Sequence, residues 1–107
     1  MIELTIREGM YFSQKDEDSF YGWLKSIGCV ADVRGDRDGL HISIRGVAIT
    51  NVDLTELIGL FHRYGIDKKP LAQFANENNA SWFRNEAKYW YRDVFGAKPV
   101  ERVRKPK

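Results

Sequence analysis

Few side chains in this sequence could act as a nucleophile, a general base or a metal ligand. There are two histidines, His41 and His62, and one cysteine, Cys29. Neither histidine has a partner at the spacing of a catalytic motif, and a histidine in the last turn of a helix is favoured by the helix dipole alone. Cys29 lacks a second cysteine or a histidine at metal-ligand spacing, so a small buried core residue is its expected role. No catalytic residue and no metal site is therefore predicted.

The standard phosphate-binding, dinucleotide-binding, zinc-protease and serine-hydrolase motifs do not occur in the sequence. Asp36 and Asp38 are spaced like the first ligands of a calcium loop. Counting Asp36 as the first position, however, the twelfth position is Val47 instead of an acidic residue, which excludes such a loop. We expect no cofactor and no enzymatic activity. An enzyme that uses His41 or His62 is retained only as a third hypothesis.

Acidic residues concentrate in two short stretches, one at the start of a predicted helix and one in or beside a predicted hairpin. The stretches contain Asp16, Glu17 and Asp18, and Asp32, Asp36 and Asp38. Helix-dipole complementation and turn chemistry explain such residues without any partner. They would also form a negative surface that steers and docks a cationic partner. A nuclease cleft is cationic because it holds phosphates, and carboxylates can take the positions of those phosphates.

The predicted partner-binding residues follow from this second interpretation, with one tyrosine added as an aromatic at the rim. They are Asp16, Glu17, Asp18, Tyr21, Asp36 and Asp38.

Length and composition favour one small domain in a reducing compartment. The chain has 107 residues, of which 43% are hydrophobic, enough for one core. No apolar run approaches the roughly 18 residues that a membrane span needs. The charged, alternating start is unlike a signal peptide, and a single cysteine cannot form an internal disulfide. We expect a cytoplasmic protein without a membrane partner.

Charge is distributed unevenly along the chain. The net charge is +2, but residues 98–107 carry five basic residues and one acidic residue, so the body of the chain is mildly acidic. The predicted organisation is a single α+β domain over residues 1–97 and a basic, mobile tail over residues 98–107. A solvated end is the ordinary role of such a tail, and a nucleic-acid-binding arm is the alternative.

Hydrophobic periodicity predicts the elements that position the acidic residues. A first strand covers Ile2–Ile6, and Met10–Phe12 is a short apolar connection. A helix capped by Ser13 follows and ends at Gly28, which is expected to be left-handed. A hairpin follows, with strands at 29–34 and 40–45 around a loop at 35–39. A bulge or a bend is expected at Gly46, before an extension of the sheet at 47–49.

The chain is organised around the stretch Gly39–Gly65. Its first half has the period of a strand, and its second half has the apolar spacing of a helix, capped by Thr50 or Asn51 and stopped by Gly65. A short helix with Asp67 as its cap is expected next, followed by a helix over 86–95 capped by Asn85.

The predicted fold class is α+β. We expect a largely antiparallel sheet of three to four strands, packed on one face by three to four helices, in the order β-α-β-β-α-α-α. The aromatic residues of 82–95 are expected mainly in the core, and Trp and Tyr among them could instead anchor an interface.

Several blocks of the sequence resemble a group of short bacterial proteins. They read GLHISIRG, DLTELIGLFHRYGID and LAQF followed by SWFRNEAKYWYRDVFG, and together they cover roughly residues 39 to 96. The group is that of immunity proteins of polymorphic toxin systems, including contact-dependent growth inhibition. The resemblance implies a cytosolic protein that binds one cognate toxin tightly and blocks its active site. Its motifs are structural and aromatic, so it assigns no binding residue.

The functional prediction combines this resemblance with the charge pattern. We expect an immunity protein that neutralises a cognate toxin domain, with a nuclease as the favoured class, by occluding its active site. The alternative is a small nucleic-acid-binding module that uses Arg102, Arg104, Lys105 and Lys107, although an acidic body makes direct nucleic-acid binding the less favoured partner class.

Overall fold

The computed structural model describes residues 1–45 and 49–96. The elements are β1 (Ile2–Ile6), α1 (Gln14–Ser26), β2 (Val30–Asp36), β3 (Gly39–Ile44), α2 (Asn51–Arg63), a 3-10 helix (Lys69–Phe74), α3 (Ala80–Phe83) and α4 (Tyr91–Phe95). The α+β class and the antiparallel sheet are confirmed. The predicted bulge at Gly46, most of the extension at 47–49 and the basic tail at 98–107 lie outside the described residues.

The chain divides into two compact units, Met1–Asp67 and a second that begins at Lys68. The first unit contains the sheet with α1 and α2, and the second contains the 3-10 helix with α3 and α4. Each unit is described separately below.

The sheet has the strand order β1-β3-β2, with both pairings antiparallel. One face is buried and apolar, formed by Leu4, Ile6, Leu40, Ile42 and Ile44. This alternation is the one predicted from the sequence, and it leaves polar side chains on the other face. The hairpin turn is tighter than predicted, because β2 continues to Asp36 and β3 begins at Gly39. Only residues 37–38 remain as the turn.

Helix α1 begins where the sequence predicts. The side chain of Ser13 accepts a hydrogen bond from the backbone N–H of Asp16 at 3.2 Å, which satisfies one of the donors left open at a helix start. The helix buries Phe20 and Leu24. The prediction of a left-handed Gly28 is wrong: the chain leaves the helix through extended backbone at Ile27 (φ −74°, ψ 126°), so no left-handed residue is needed there.

Helix α2 packs antiparallel to α1. Trp23 in the last part of α1 donates a hydrogen bond to Glu56 near the start of α2 at 2.8 Å, whereas Phe20 lies one turn earlier and contacts Tyr64 just after the end of α2. Thr50 caps α2 through the N–H of Asp53 at 3.0 Å, and Gly65 follows it with φ +68°. Both signals were predicted. The start of α1 and the end of α2 therefore lie at the same end of the first unit.

The second unit departs most from the sequence prediction. The residue preceding its 3-10 helix is Lys68, so the prediction of Asp67 as the cap is wrong. The continuous helix predicted over 86–95 is also wrong. The side-chain oxygen of Asn85 accepts a hydrogen bond from the backbone N–H of Ala87, and its backbone carbonyl oxygen accepts one from the N–H of Lys88. These two hydrogen bonds form a turn, so α4 begins only at Tyr91.

Large aromatic side chains form the interior of the second unit. Phe83 is fully buried, and the indole N–H of Trp90 donates to the carbonyl oxygen of Phe83 at 2.9 Å. The core role predicted for these aromatics is confirmed for Phe83, Trp90 and Tyr91, whereas Tyr89 is exposed. None of the helices described in either unit is long and apolar enough to cross a membrane.

Candidate partner-binding surface

The topology gathers several chain segments at one end of the first unit. Strand β1 leaves the sheet at Ile6, which pairs with Leu40 at the hairpin end of β3. The backbone of Gly39 passes so close to Ile6 that a Cβ atom would lie 2.4 Å from the Ile6 carbonyl oxygen. Residues 7–13, which connect β1 to α1, therefore start beside the hairpin turn. We call this end, made of residues 7–21, 36–39 and 62–65, the acidic end.

Glu8 organises the acidic end. The hydroxyls of Tyr11 and Tyr21 both donate to its Oε1 atom, at 2.7 and 2.8 Å. Burial, followed by this carboxylate, raises the pKa of Tyr21 to about 12 and that of Tyr11 further still. The tyrosines thus remain neutral donors, and they tie the connecting segment to the body of α1.

A cluster of aromatic side chains around the buried Phe20 packs against the same connecting segment. Phe20 is fully buried and its ring contacts Tyr11, Tyr21 and Tyr64 at centroid distances of 5.7, 5.1 and 5.1 Å. Gly9 approaches α2 closely, since a Cβ atom there would lie 2.4 Å from the Tyr64 carbonyl oxygen. The connecting segment is consequently fixed at both α1 and α2, and only a glycine fits at position 9.

Two large apolar side chains project from this fixed segment into solvent. Met10 is 76% exposed and Phe12 is 87% exposed. The backbone N–H of Phe12 donates to Oδ2 of Asp16 at 2.9 Å, so the backbone is held while the ring points outward. A groove of about 300 Å³ lies beside them, lined by Met10, Phe12, Asp16, Arg63 and Tyr64. Exposed Met and Phe next to a concave surface are typical of interface anchors.

The first predicted acidic group lies directly against this groove. Asp16 is half-buried and accepts a hydrogen bond from the Phe12 backbone. Burial, and after it the charge of Asp16, raises the pKa of Tyr64. Asp18 is exposed and accepts a hydrogen bond from Gln14 at 2.9 Å, while Glu17 is half-buried. Asp16 therefore maintains the local structure, and Asp18 is the more accessible charge.

Tyr21, predicted as a rim aromatic, is half-buried. Because its hydroxyl is bonded to Glu8, its main role at the acidic end is to hold the connecting segment.

The second predicted acidic group forms a separate cluster at the hairpin. Asp36 lies 2.9 Å from Nε2 of His41 and 3.8 Å from Arg34. The hydrogen bond with His41, then that from the backbone N–H of Asp38, lowers the pKa of Asp36.

The hairpin cluster lies beside the end of β1, because Ile6 pairs with Leu40, and its contacts are separate from those of Asp16. Asp32 is the remaining acidic residue singled out in the sequence. It lies nearer the start of β2, where it pairs with Ser43 of β3.

His41 connects the three strands on the polar face of the sheet. Its Nδ1 lies 3.0 Å from Thr5 Oγ1 on β1, and its Nε2 contacts Asp36 on β2. Its side chain is only 13% exposed. A hydroxyl, an imidazole and a carboxylate in series are the parts of an activated nucleophile, but the groove beside Phe12 is lined by neither Thr5 nor His41. The three side chains instead stabilise the hairpin, because Thr5 and Asp36 both hydrogen-bond to the imidazole of His41.

Metal and thiol chemistry find little support in the described part of the chain. Among residues 1–45 and 49–96, no three or more His, Cys, Asp or Glu side chains are grouped so that they could hold a metal ion. Cys29 is buried, and burial together with the nearby Asp53 carboxylate raises its thiol pKa to about 11. A neutral, buried thiol is a poor nucleophile.

Sequence reasoning missed the three most informative residues of this end, namely Glu8, Met10 and Phe12. It interpreted Met10–Phe12 as a short apolar connection. The available signal was the position of two large apolar residues in a loop that is flanked on both sides by acidic residues, because such a loop has no periodic face to bury them.

No protein-family model, no curated protein and no solved structure matches this chain. The candidate surface is therefore described by its own geometry. It consists of the exposed Met10 and Phe12 side chains, which lie near carboxylates on a segment held by Glu8.

Proposed function

We propose that the protein is an immunity protein, which binds a cognate toxin domain and occludes its active site, and that the toxin is a nuclease. The observation that carries this proposal is the exposure of Phe12 and Met10 beside Asp16 and Asp18 at the acidic end. The binding surface is the acidic end, and the protein performs no chemistry on its partner.

The apolar pair supplies the affinity in this proposal. Removing the surface of a Phe or Met side chain from water contributes about 1.5 to 3 kcal/mol. The groove lined by Tyr64 and Arg63 beside Phe12 provides a concave feature that a partner side chain can fill. Interfaces concentrate binding energy in a few such anchors, and the surrounding contacts serve mainly to exclude water.

The carboxylates supply recognition of a cationic cleft. Residues 7–21 carry four acidic and two basic side chains, and the first unit as a whole carries eleven acidic and seven basic residues. A nuclease surrounds its phosphate-binding positions with lysine and arginine, so an acidic surface is steered toward that cleft and competes with the nucleic acid.

Rigidity of the segment that carries the anchors supports the proposal further. Glu8 binds two tyrosine hydroxyls, and Gly9 lies against the Tyr64 backbone. A segment that is already ordered loses little conformational entropy when a partner binds, so more of the contact energy is retained as affinity.

The direct test first asks whether the reading frame upstream encodes a large secreted protein with a variable C-terminal domain, and then uses that domain as the probe. An upstream frame that encodes no such protein would count against the proposal. The expected result is that the two proteins co-purify and that equimolar addition of this protein abolishes cleavage of nucleic acid by the toxin domain. A complex in which cleavage continues at its full rate would contradict the proposal.

Deletion of residues 98–107 distinguishes the alternative function, nucleic-acid binding, from toxin binding. A nucleic-acid-binding module that uses Arg102, Arg104, Lys105 and Lys107 would lose most of its affinity for nucleic acid on deletion. The proposal expects toxin binding by the truncated protein to be unchanged.

A further inference from the structure

Among residues 1–45 and 49–96, strand β2 is an open edge of the sheet. It pairs with β3 on one side, and in the strand order β1-β3-β2 no described strand follows it on the other. Its residues 32 and 34–36 are exposed, and Ala31 and Val33 are half-buried. An edge strand of seven residues presents a row of backbone N–H and C=O groups, which can pair with another strand.

The side chains of this strand are complementary to a second copy of themselves. If two β2 strands pair antiparallel about a two-fold axis at Val33, Asp32 of each copy lies opposite Arg34 of the other. Residues directly opposite in an antiparallel pair have Cβ atoms about 5 Å apart, within reach of an ion pair. The strand thus gains two charge pairs from one symmetric contact.

The other edge strand lacks this property. In β1 a two-fold axis at the central Leu4 would bring Glu3 opposite Thr5, which gives no charge pair. β1 is also two residues shorter than β2, with five residues against seven. Self-pairing therefore favours β2.

A groove beside the β2 edge leaves room for the added strand. It measures about 260 Å³ and is lined by Lys25 of α1 and by Val30–Val33. The irregularity in pairing between Val30 and Asp32 is confined to the start of the strand, so residues 32–36 remain regular. The partner's Val33 would lie next to this groove and cover apolar surface there.

We propose that the protein forms a homodimer through antiparallel pairing of the β2 strands, which joins two sheets into one of six strands. The contact is isologous, as expected for a two-fold dimer. It is centred on Val33, whereas the proposed toxin contacts centre on Met10 and Phe12. Within one copy Arg34 lies 2.9 Å from Glu3 and 3.8 Å from Asp36, and its side chain is 57% exposed. Pairing with Asp32 of the other copy therefore exchanges an exposed ion pair, which contributes little to stability, for one at the interface.

Charge-swapped variants test this arrangement through mass in solution. Sedimentation equilibrium of the wild-type protein should show a species of twice the 12.4 kDa chain mass, with a fraction that rises with concentration. Asp32→Arg places two like pairs across the axis, as does Arg34→Asp, so each single variant should be monomeric. The double variant D32R/R34D exchanges the two charges and should dimerise again.

Mixing the two single variants gives the sharpest result. A D32R chain and an R34D chain form two opposite-charge pairs with each other, so the mixture should contain heterodimers although neither variant dimerises alone. Circular dichroism of each variant checks that the fold is retained. Amide hydrogen exchange should show protection of residues 31–35 in the wild-type protein that is lost in both single variants.

A wild-type chain that remains monomeric up to millimolar concentration would overturn the proposal. So would a dimer that persists in both folded single variants with unprotected β2 amides, because that dimer would use another surface. All of these measurements are made without a toxin, so their failure leaves the proposed function untouched.

Discussion

Tyr21 donates a 2.8 Å hydrogen bond to Glu8 across thirteen positions of the sequence, and Tyr11 donates to the same carboxylate oxygen at 2.7 Å. One carboxylate thereby joins the end of β1, the connecting segment and the body of α1. Met10 and Phe12 protrude from between these fixed points. The interface that we propose is consequently formed before any partner arrives.

Replacing Glu8 should change the alkaline behaviour of the protein. Burial and the Glu8 carboxylate raise the pKa of Tyr21 from 10.0 to about 12. A raised folded-state pKa gives stability that is fully present below pH 10 and is lost as the pH rises through the folded value. The free energy of unfolding should therefore fall between about pH 10 and 12 in the wild-type protein.

The variant Glu8→Gln should lower the pKa of Tyr21, though not fully to 10.0, because burial is the larger cause. Near-ultraviolet absorbance of tyrosinate follows this titration, and Tyr21→Phe assigns the signal. An unchanged tyrosine titration in E8Q would show that Glu8 does not interact with Tyr21 as described.

Asp36 should contribute to acid stability. Its pKa is lowered, first by the hydrogen bond with His41, so its contribution is present above the ordinary value of 3.8 and is lost as the pH falls below it. We expect Asp36→Asn to reduce the loss of unfolding free energy between pH 5 and pH 2, measured with denaturant. Asp38→Asn is the matched control, and an equal effect of both variants would contradict the role of the His41 contact.

Replacing Gly22 and Gly9 with alanine should change the free energy of unfolding in opposite directions. Gly22 is exposed on α1 with no atom within 4 Å of an added Cβ, so Gly22→Ala should stabilise the protein by up to about 1 kcal/mol through helix propensity. Gly9→Ala would place Cβ 2.4 Å from the Tyr64 carbonyl oxygen and should destabilise by about 1 to 3 kcal/mol. Denaturant unfolding measures both, and a stabilising G9A would show that the connecting segment is not held against α2.

The second unit contains an ion pair with unequal burial. The Lys68 side chain is 7% exposed and lies 3.1 Å from Asp93, which is 52% exposed. Asp93→Ala leaves the buried ammonium without its carboxylate and should cost about 1 to 3 kcal/mol of unfolding free energy. Lys68→Met leaves only an exposed carboxylate and should cost less. A more damaging K68M would contradict this account, because Met keeps most of the aliphatic chain of Lys68 and removes only its ammonium group.

The first unit could be predicted well from sequence because its signals are local. Ser13 and Thr50 each cap the helix that follows, and the alternation of β3 predicts its buried face. The second unit could not, because its aromatics lack a helical period and the side chain of Asn85 stabilises a turn where a helix cap was expected.

The candidate site was predicted only in part for a different reason. Carboxylates such as Asp16 and Asp36 are visible in the sequence, but their hydrogen bonds with Phe12 and His41 depend on the tertiary fold. Exposure of Phe12 is likewise a tertiary property, since nothing local distinguishes an exposed apolar loop residue from a buried one.

The contacts of Asp16 and Asp36 also decide which carboxylates are suitable for testing the predicted electrostatic attraction of the toxin. Reversing Asp16 or Asp36 would disturb the structure that presents the surface, whereas Asp18 and Asp38 can be reversed with less structural effect. Asp18→Lys combined with Asp38→Lys should slow association with the toxin domain, more strongly at low salt, while Glu56→Lys near the start of α2, at the opposite end of the first unit, should not. Stopped-flow measurement of the association rate decides between these outcomes.

The most direct test of the account is the affinity of Phe12→Ala for the toxin domain, measured by titration calorimetry beside Val52→Ala. Both variants truncate an exposed apolar side chain, and Val52 lies at the start of α2, away from the acidic end. We predict that F12A weakens binding by about 2 kcal/mol or more, roughly 30-fold in Kd, and that V52A binds as the wild-type protein does. Equal affinities of folded F12A and wild-type protein would contradict the assignment of the acidic end as the binding surface.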